Sequence, residues 1–316
     1  MRLRPTLPLT HRGRDRKYWL RLLLLFLLIL TVSLAAFPVM MGALFAQGLL
    51  YTPCSNDGRT PADYGLTGES VTLPARAGGS FQGYFMPGTN RVTIIIPPPL
   101  NSGRSMRLPE AAMLVQHGYA VFTFEARPCA GMGPMSLGYA EVDEVVDVLD
   151  YLLSRPDVDP QRIGIYGFSS AGATSIMAAA RLPRLQAVIA EGGYGHFADF
   201  VDNALGRDLV QRGEFYFAPL YRWGFRLTYW GGAGDLDKLS PLTVIHQIQP
   251  RPILLIYGGQ EKSLPEGYQQ LQAAGDNAEL WVVEGAGHGQ YFAIAPEAYE
   301  LRIVTFFNQA LLQVGD

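Results

Sequence analysis

The stretch that most constrains this chain is Arg162 to Leu182, RIGIYGFSSAGATSIMAAARL, where a β-branched apolar run meets GFSSAG and then an alanine-rich segment. Such a passage reads as strand, sharp turn and helix. A G-x-S pattern alone is common in a chain with 35 glycines, so its meaning comes from this context. A serine at the tip of a strained strand-to-helix turn needs small residues two before and two after it. Gly167 and Ala171 meet that need around Ser169, whereas a reactive Ser170 would have bulky Phe168 two positions before it. With Ser169 as candidate nucleophile, the N–H of Ser170 stands at the helix start, where it can face a developing oxyanion. A serine pair that merely caps an ordinary helix fits the same letters.

Of the 316 residues, 48% are hydrophobic and 17% charged, enough for one large α/β domain or two smaller ones. Charge is distributed unevenly. Residues 1–21 carry Arg2, Arg4, Arg12, Arg14, Arg16, Lys17 and Arg21 against Asp15, and no further charge appears before Asp57. The apolar run Leu22 to Ala46, interrupted by Pro38, is long enough to span a hydrocarbon core, about 37 Å as a helix at about 1.5 Å per residue. The expected organisation is a basic cytoplasmic tail (1–21), a transmembrane signal-anchor (22–46), a linker (47–60) and a folded domain (61–316). The positive-inside rule then puts the N-terminus in the cytoplasm, the chain in the cell membrane as a single-pass protein, and the domain outside the cytoplasm. Cleavage near Ala46 is the alternative, and Pro53 disfavours a lipoprotein site at Cys54.

Taking the seven cations and one acid of residues 1–21 from the 25 basic and 28 acidic side chains leaves 18 and 27, a net −9 for the remainder. An acidic body excludes a nucleic-acid footprint. The two cysteines, Cys54 and Cys129, pair in an oxidising compartment or stay as separate thiols; spacing does not decide.

Beyond the linker, Ser70–Leu73 and Phe81–Phe85 flank the turn-rich ARAGGS and suit an antiparallel hairpin. Val92–Ile96 suits a strand buried on both faces. Strands then alternate with helices: a helix over 108–116, strand 119–124, helix 139–153, the central strand and helix, strand 187–190, strand 253–257, helix 266–274, strand 279–283 and a closing helix over 296–312. That alternation predicts a mostly parallel sheet with helices on both faces. The acids of the 139–153 helix, Glu141, Asp143, Glu144, Asp147 and Asp150, read as a solvated face, since no histidine partners them at metal-ligand spacing. Residues 194–241 form an insertion rich in aromatics: Phe197, Phe200, Phe215, Tyr216, Phe217, Tyr221, Trp223, Phe225, Tyr229 and Trp230. It is expected to cap the serine with an apolar pocket, to pack onto the sheet, or both.

Serine needs a histidine base and a carboxylate that fixes the imidazole tautomer. In the order Ser, acid, His, the acid follows a late strand and the histidine the last one. PILLIY is followed by GGQEKSLP, which holds Glu261, and ELWVVEG by AGHGQ, which holds His288. Asp276 and Glu284 are rivals for the acid. Of the other histidines, His11, His117 and His246 read as structural or surface groups, and His196 sits where a cap residue could reach a pocket.

Taken in order, TPADYGL, HGYAVFTFEAR, DVDPQRIGIYGFSSAGA, QPRPILLIYGGQEKSLP and AGHGQYF resemble the α/β-hydrolase superfamily, and in particular bacterial membrane-anchored serine hydrolases akin to prolyl-oligopeptidase and acyl-CoA thioesterase-like members. The resemblance covers the chain from about Pro61 onward. It implies an α/β-hydrolase fold with an eight-stranded, mostly parallel sheet and a triad of Ser169, Glu261 and His288. One segment departs from the pattern: where the family carries His-Gly after the third strand, this chain reads IIIPPPLNSGRS. Proline has no N–H to donate. The second oxyanion donor then falls on Pro99, leaving the hole half built, or one residue later on the amide of Leu100, the register that Arg104 to Met106 favours. Losing one donor costs about 10²–10³ in rate. Glu125 takes the place of the usual Asp at the end of its strand, and a structural role beside Arg127 is expected.

The expected activity is hydrolysis of an ester, thioester or amide through an acyl-enzyme, a carboxylesterase (EC 3.1) before a prolyl-oligopeptidase-like serine peptidase (EC 3.4), with a catalytically weak binding protein as the other class. The expected partners are a small-molecule or acyl substrate and the lipid bilayer, with no cofactor and no metal.

Overall fold

The computed structural model describes residues 12–199, 201, 218–232 and 234–312. Arg2, Arg4 and His11, and the insertion aromatics Phe200, Phe215, Tyr216 and Phe217, lie outside the described residues.

One eight-stranded sheet organises the domain, in the order β1-β2-β4-β3-β5-β6-β7-β8. Its strands are β1 (Glu69–Pro74), β2 (Ser80–Met86), β3 (Thr93–Ile96), β4 (Ala120–Phe124), β5 (Ile163–Phe168), β6 (Leu185–Glu191), β7 (Ile253–Gly258) and β8 (Ala278–Val283). β1 and β2 form the expected hairpin, β2 pairs antiparallel with β4, and every pairing from β4 to β8 is parallel. This is the sheet of the α/β-hydrolase fold.

Residues on β5 alternate between two cores, as the two-residue period of a strand requires. Ile163 and Ile165 pack with Val145 and Leu149 of α3 (Tyr139–Ser154) and Ile176 of α4 (Ser170–Arg181). Tyr166 points the other way, into the layer made by Leu108, Ala111 and Leu114 of α2 (Leu108–Gln116) and by the closing helix. β5 lies between β3 and β6 in the sheet, so the turn that follows it emerges in the middle of the carboxyl edge, where parallel sheets place ligands.

The N-terminal helix α1 (Arg12–Leu50) continues through Pro38, and its portion from Arg16 to Leu50 is long and apolar enough to cross a membrane. Residues 16–37 are exposed throughout, while Pro38, Gly42, Ala46 and Leu50, four residues apart, are buried. The insertion contributes α5 (Ala218–Gly232), which packs along this last part of α1. The short α6 (Pro241–Val244) follows it, and then α7 (Leu264–Ala274), α8 (Tyr291–Ile294) and α9 (Pro296–Phe307), the last passing into a π-helical turn at Asn308–Leu312.

Two expectations change. The acids of α3 do not form a uniformly solvated face, because Glu141 and Glu144 are buried. Glu141 accepts from Ser136 N and Gly138 N, each over 2.8 Å, closing the start of its own helix, and Glu144 pairs with Arg127 over 2.8 Å. Helical spacing cannot separate such anchors from surface acids, since both stand between apolar positions. Glu125, for its part, accepts from Gln82 N on β2 rather than joining Arg127.

In the segment after α1 the structure decides the cysteine pairing that spacing left open. Cys54 and Cys129 form a disulfide, and Ser55 exchanges backbone hydrogen bonds with Asn101 and Gly103, each 2.8 Å, in the loop after β3. The bridge closes 75 residues of chain, for which an unfolded-state constraint of about 4 kcal/mol is ordinary. It ties the segment after α1 to the chain beyond β4, while the Ser55 bonds tie that segment to the loop that carries the three prolines. The unreduced, denatured protein is therefore expected to present no thiol to a maleimide and the reduced protein two, with an unfolding midpoint several degrees lower after reduction; free thiols before reduction would contradict the bridge.

Candidate active site

The turn between β5 and α4 holds Ser169 at φ 57° and ψ −124°, a conformation that side-chain-bearing residues rarely adopt. Neighbouring residues impose it. Ser169 N donates to Glu191 O over 2.7 Å, and Ser169 O accepts from Gly172 N over 2.9 Å as α4 starts. A Cβ on Gly167 would lie 2.1 Å from Ala171 O, so the residue two before the serine must be glycine. Ser170 is the first residue of α4, a position whose N–H has no acceptor within the helix.

His288 stands in the loop after β8. Its Nε2 is 3.0 Å from Ser169 Oγ and its Nδ1 is 2.6 Å from Glu261 Oε1. Phe168 lies beneath the imidazole, with ring centroids 4.8 Å apart. Glu261, in the loop after β7, is buried and saturated with donors: Gly258 N and the Tyr291 hydroxyl on Oε2, each 2.8 Å, and the Ser263 hydroxyl on Oε1, 2.9 Å. Burial alone would raise this carboxyl, but the bonds from His288, Gly258, Tyr291 and Ser263 outweigh it and hold the group below the usual carboxylate range. An ionised Glu261 can only accept, so Nδ1 carries the proton and Nε2 is left to accept from the Ser169 hydroxyl.

Gly192, just past β6, makes room for this chain of groups. Its φ is +56°, and a Cβ there would fall 2.5 Å from the Tyr291 hydroxyl, 2.7 Å from Glu261 Oε1 and 2.8 Å from His288 Nδ1.

Below the turn lies a buried polar cluster. The Glu191 carboxylate pairs with Arg107 over 3.0 Å and accepts from the Tyr166 hydroxyl over 2.9 Å; Arg107 also pairs with Glu110, and Tyr166 bonds Tyr299. Burial pushes the Glu191 carboxyl up, and Arg107 opposes that rise. Sequence reasoning missed Arg107, Glu191, Tyr291 and Gly192. Glu191 alone left a signal, because a carboxylate that ends the apolar strand LQAVIAE requires a buried partner.

A cavity of about 430 Å³ opens over Ser169. It brings together Ser169, Glu261 and His288, expected as the triad, with Ser170 and Leu100, expected as the oxyanion donors. Leu49, Leu137, Tyr194 and Phe197 supply its apolar wall. Pro97, Pro98 and Pro99 are buried behind it, and Pro99 O accepts from both the amide and the hydroxyl of Ser102. The rivals Asp276 and Glu284 do not line the cavity, nor does His196; His117 pairs with Glu300 instead. Among the described residues there is no cluster of His, Cys, Asp and Glu suited to a metal ion.

The family model of the X-Pro dipeptidyl-peptidases (S15 family) matches residues 55–216. The uncharacterized protein YfhR of Escherichia coli (strain K12) is 25% identical over 261 residues, 77% of this chain and 81% of YfhR. Among solved structures, the esterase Pf2001 of Pyrococcus furiosus superposes with a TM-score of 0.67 at 18% identity, over 83% of this chain and 98% of its own. A puromycin-hydrolyzing peptidase of Mycobacterium tuberculosis gives 0.61 at 18% identity, over 78% of this chain and 40% of its own. At such identities the structures establish the shared fold. Residues 55–216, just over half of the chain, carry both the GFSSAG turn and the match to the family, and on that ground the chain belongs to the X-Pro dipeptidyl-peptidase (S15) family and is a hydrolase of the α/β-hydrolase type.

Proposed function

We propose that this hydrolase is a serine carboxylesterase, anchored in the cell membrane by α1 with its N-terminus cytoplasmic and its domain outside. The observation that carries the chemistry is the unbroken chain of hydrogen bonds from Ser169 through His288 to Glu261 at the floor of an apolar cavity. His288 Nε2 takes the hydroxyl proton as Ser169 Oγ attacks the acyl carbon. The amides of Ser170 and Leu100 hold the oxyanion, a reading favoured by Leu100, not Pro99, lining the cavity. Collapse expels the alcohol, which takes the proton from His288. Water, deprotonated by the same nitrogen, then releases the acid.

The family's name keeps an X-Pro peptidase as a second reading. Against it, Glu261 is the one acid among the described lining residues and it is already committed to His288, which leaves no carboxylate there to hold a peptide's amino terminus. For the compartment, the Cys54–Cys129 bridge fits an oxidising environment and the basic residues Arg16, Lys17 and Arg21 fit a cytoplasmic end.

Full-length protein in detergent is expected to cleave 4-nitrophenyl butyrate faster than Gly-Pro-4-nitroanilide, and Ser169→Ala to lose at least about 10³ in kcat on the butyrate. Faster cleavage of the anilide would favour the peptidase, and full activity in Ser169→Ala would remove the serine mechanism. Glu261→Gln is expected to cost between about 10³ and 10⁴ in kcat with the fold intact. Because folding lowers the Glu261 pKa, its ionic contribution to stability is full above the unfolded value of about 4 and disappears as pH falls through the folded value. Thermal melts of wild type and Glu261→Gln should therefore converge as the pH drops below about 4; a constant gap would contradict the lowered pKa.

A further inference from the structure

We infer that the cavity over Ser169 is supplied from the bilayer and that its substrate is a long-chain acyl ester resident in the membrane; the inference rests on the serine hydrolase reading above and on α1 as the anchor. The geometry of α1 leads to it. Residues 22–37 are uncharged and exposed on every face, about 24 Å of helix at about 1.5 Å per residue and most of the thickness of a hydrocarbon core, with Arg16, Lys17 and Arg21 at the cytoplasmic end. From Pro38 the same helix, without any spacer, buries one face, Pro38, Gly42, Ala46 and Leu50, against the domain, and one residue from its end Leu49 lines the cavity beside Ser169. The cavity wall at Leu49 thus lies about 18 Å along the helix from the end of that exposed stretch, close to the lipid surface.

Helix α5 occupies the same level. A Cβ on Gly42 would come 1.9 Å from Tyr221 O and one on Gly224 2.0 Å from Val39 O, so the two backbones touch, as small residues allow between helices in membranes. Phe45 packs on Tyr221 and Phe225 in these turns. The outward side of α5 carries Trp223, Leu227 and Trp230 at helical spacing, with Trp223 54% and Trp230 71% exposed. Met41, Leu44 and Phe45 of α1 are exposed in the turns that meet α5. Two exposed tryptophans beside a spanning helix match the composition of a membrane interface. Inward, Phe225 and Tyr229 of α5 pack on Phe197, whose other side lines the cavity. Apolar side chains therefore lie between the exposed faces of these helices and the cavity, with Leu49 at the end of α1 and Phe197, packed beneath α5, both in the cavity wall.

An acyl chain following that path would bring its ester carbonyl to Ser169 while the chain stayed in apolar surroundings. The acyl C–O bond breaks, the acyl group passes to Ser169 Oγ, the alcohol departs with the proton from His288, and water completes the hydrolysis. Charged phosphate or peptide substrates gain nothing from such a route.

The test compares 4-nitrophenyl palmitate carried in phosphatidylcholine vesicles with water-soluble 4-nitrophenyl butyrate, using full-length protein reconstituted in those vesicles. The double variant Trp223→Asp with Trp230→Asp alters exposed side chains that hold no part of the core. It is expected to lose at least about tenfold on the palmitate and to change by less than about twofold on the butyrate. Equal losses on both esters, or no loss on the palmitate, would overturn the bilayer route. Butyrate cleavage without palmitate cleavage in the wild type would also overturn it while leaving the hydrolase reading in place. Failure on both esters would remove the hydrolase reading itself and this inference with it.

Discussion

The hydrogen bond from Ser169 N to Glu191 O, 2.7 Å long, fixes the point from which the rest of the site is built. A serine at φ 57° stores about 1–3 kcal/mol of backbone strain, which persists only where the surroundings over-determine it. Here they do so from three sides. The parallel register of β5 on β6 brings the Glu191 carbonyl to the turn, Gly167 lets Ala171 fold back over it, and Arg107 and Tyr166 hold the Glu191 side chain from below. A buried ion pair is a poor source of net stability, yet removing one partner costs about 3–5 kcal/mol. The cluster beneath the turn therefore resists any relaxation that would let the serine settle into an ordinary helix cap.

The other two groups depend on that fixed point through the sheet. Glu261 and His288 arrive on the loops after β7 and β8, and Gly192, at the end of β6, leaves the space in which they meet. Any side chain at Gly192 would collide with Glu261, His288 and Tyr291 at once. The disulfide adds a tether on the opposite rim. It joins the segment after α1 to the chain beyond β4, and from these two stretches of chain Ser55 and Ala126 hydrogen-bond to residues 101–103, holding the loop that carries Leu100 beside the end of α1.

Much of this was legible in the letters. Strand and helix periods located each core element of the sheet, because buried strands leave unbroken β-branched runs and α3 leaves an apolar stripe. Small residues around Ser169 distinguished it from Ser170, and the order of Ser169, Glu261 and His288 matched loops at successive strand ends. Illegible were the contacts that span long stretches of chain. Glu141 and Glu144 look like surface acids until a turn and an arginine close over them, Arg107 lies 84 residues from Glu191, and the partners of Cys54 and Gly192 are set by the fold alone. The aromatic insertion admitted a cap or plain packing from sequence; the described part does both, with Tyr194 and Phe197 in the cavity wall and Phe225 and Tyr229 behind them.

A strained serine, its base and an apolar cavity bounded by the end of a membrane-length helix form one arrangement, and its central claim is that Ser169 rather than its neighbour Ser170 is the nucleophile. The most direct measurement is peptide mass mapping of the full-length protein after reaction with a fluorophosphonate. The account predicts one adduct per chain, on Ser169, lost in Ser169→Ala and retained in Ser170→Ala. An adduct on Ser170, or its persistence in Ser169→Ala, would contradict it.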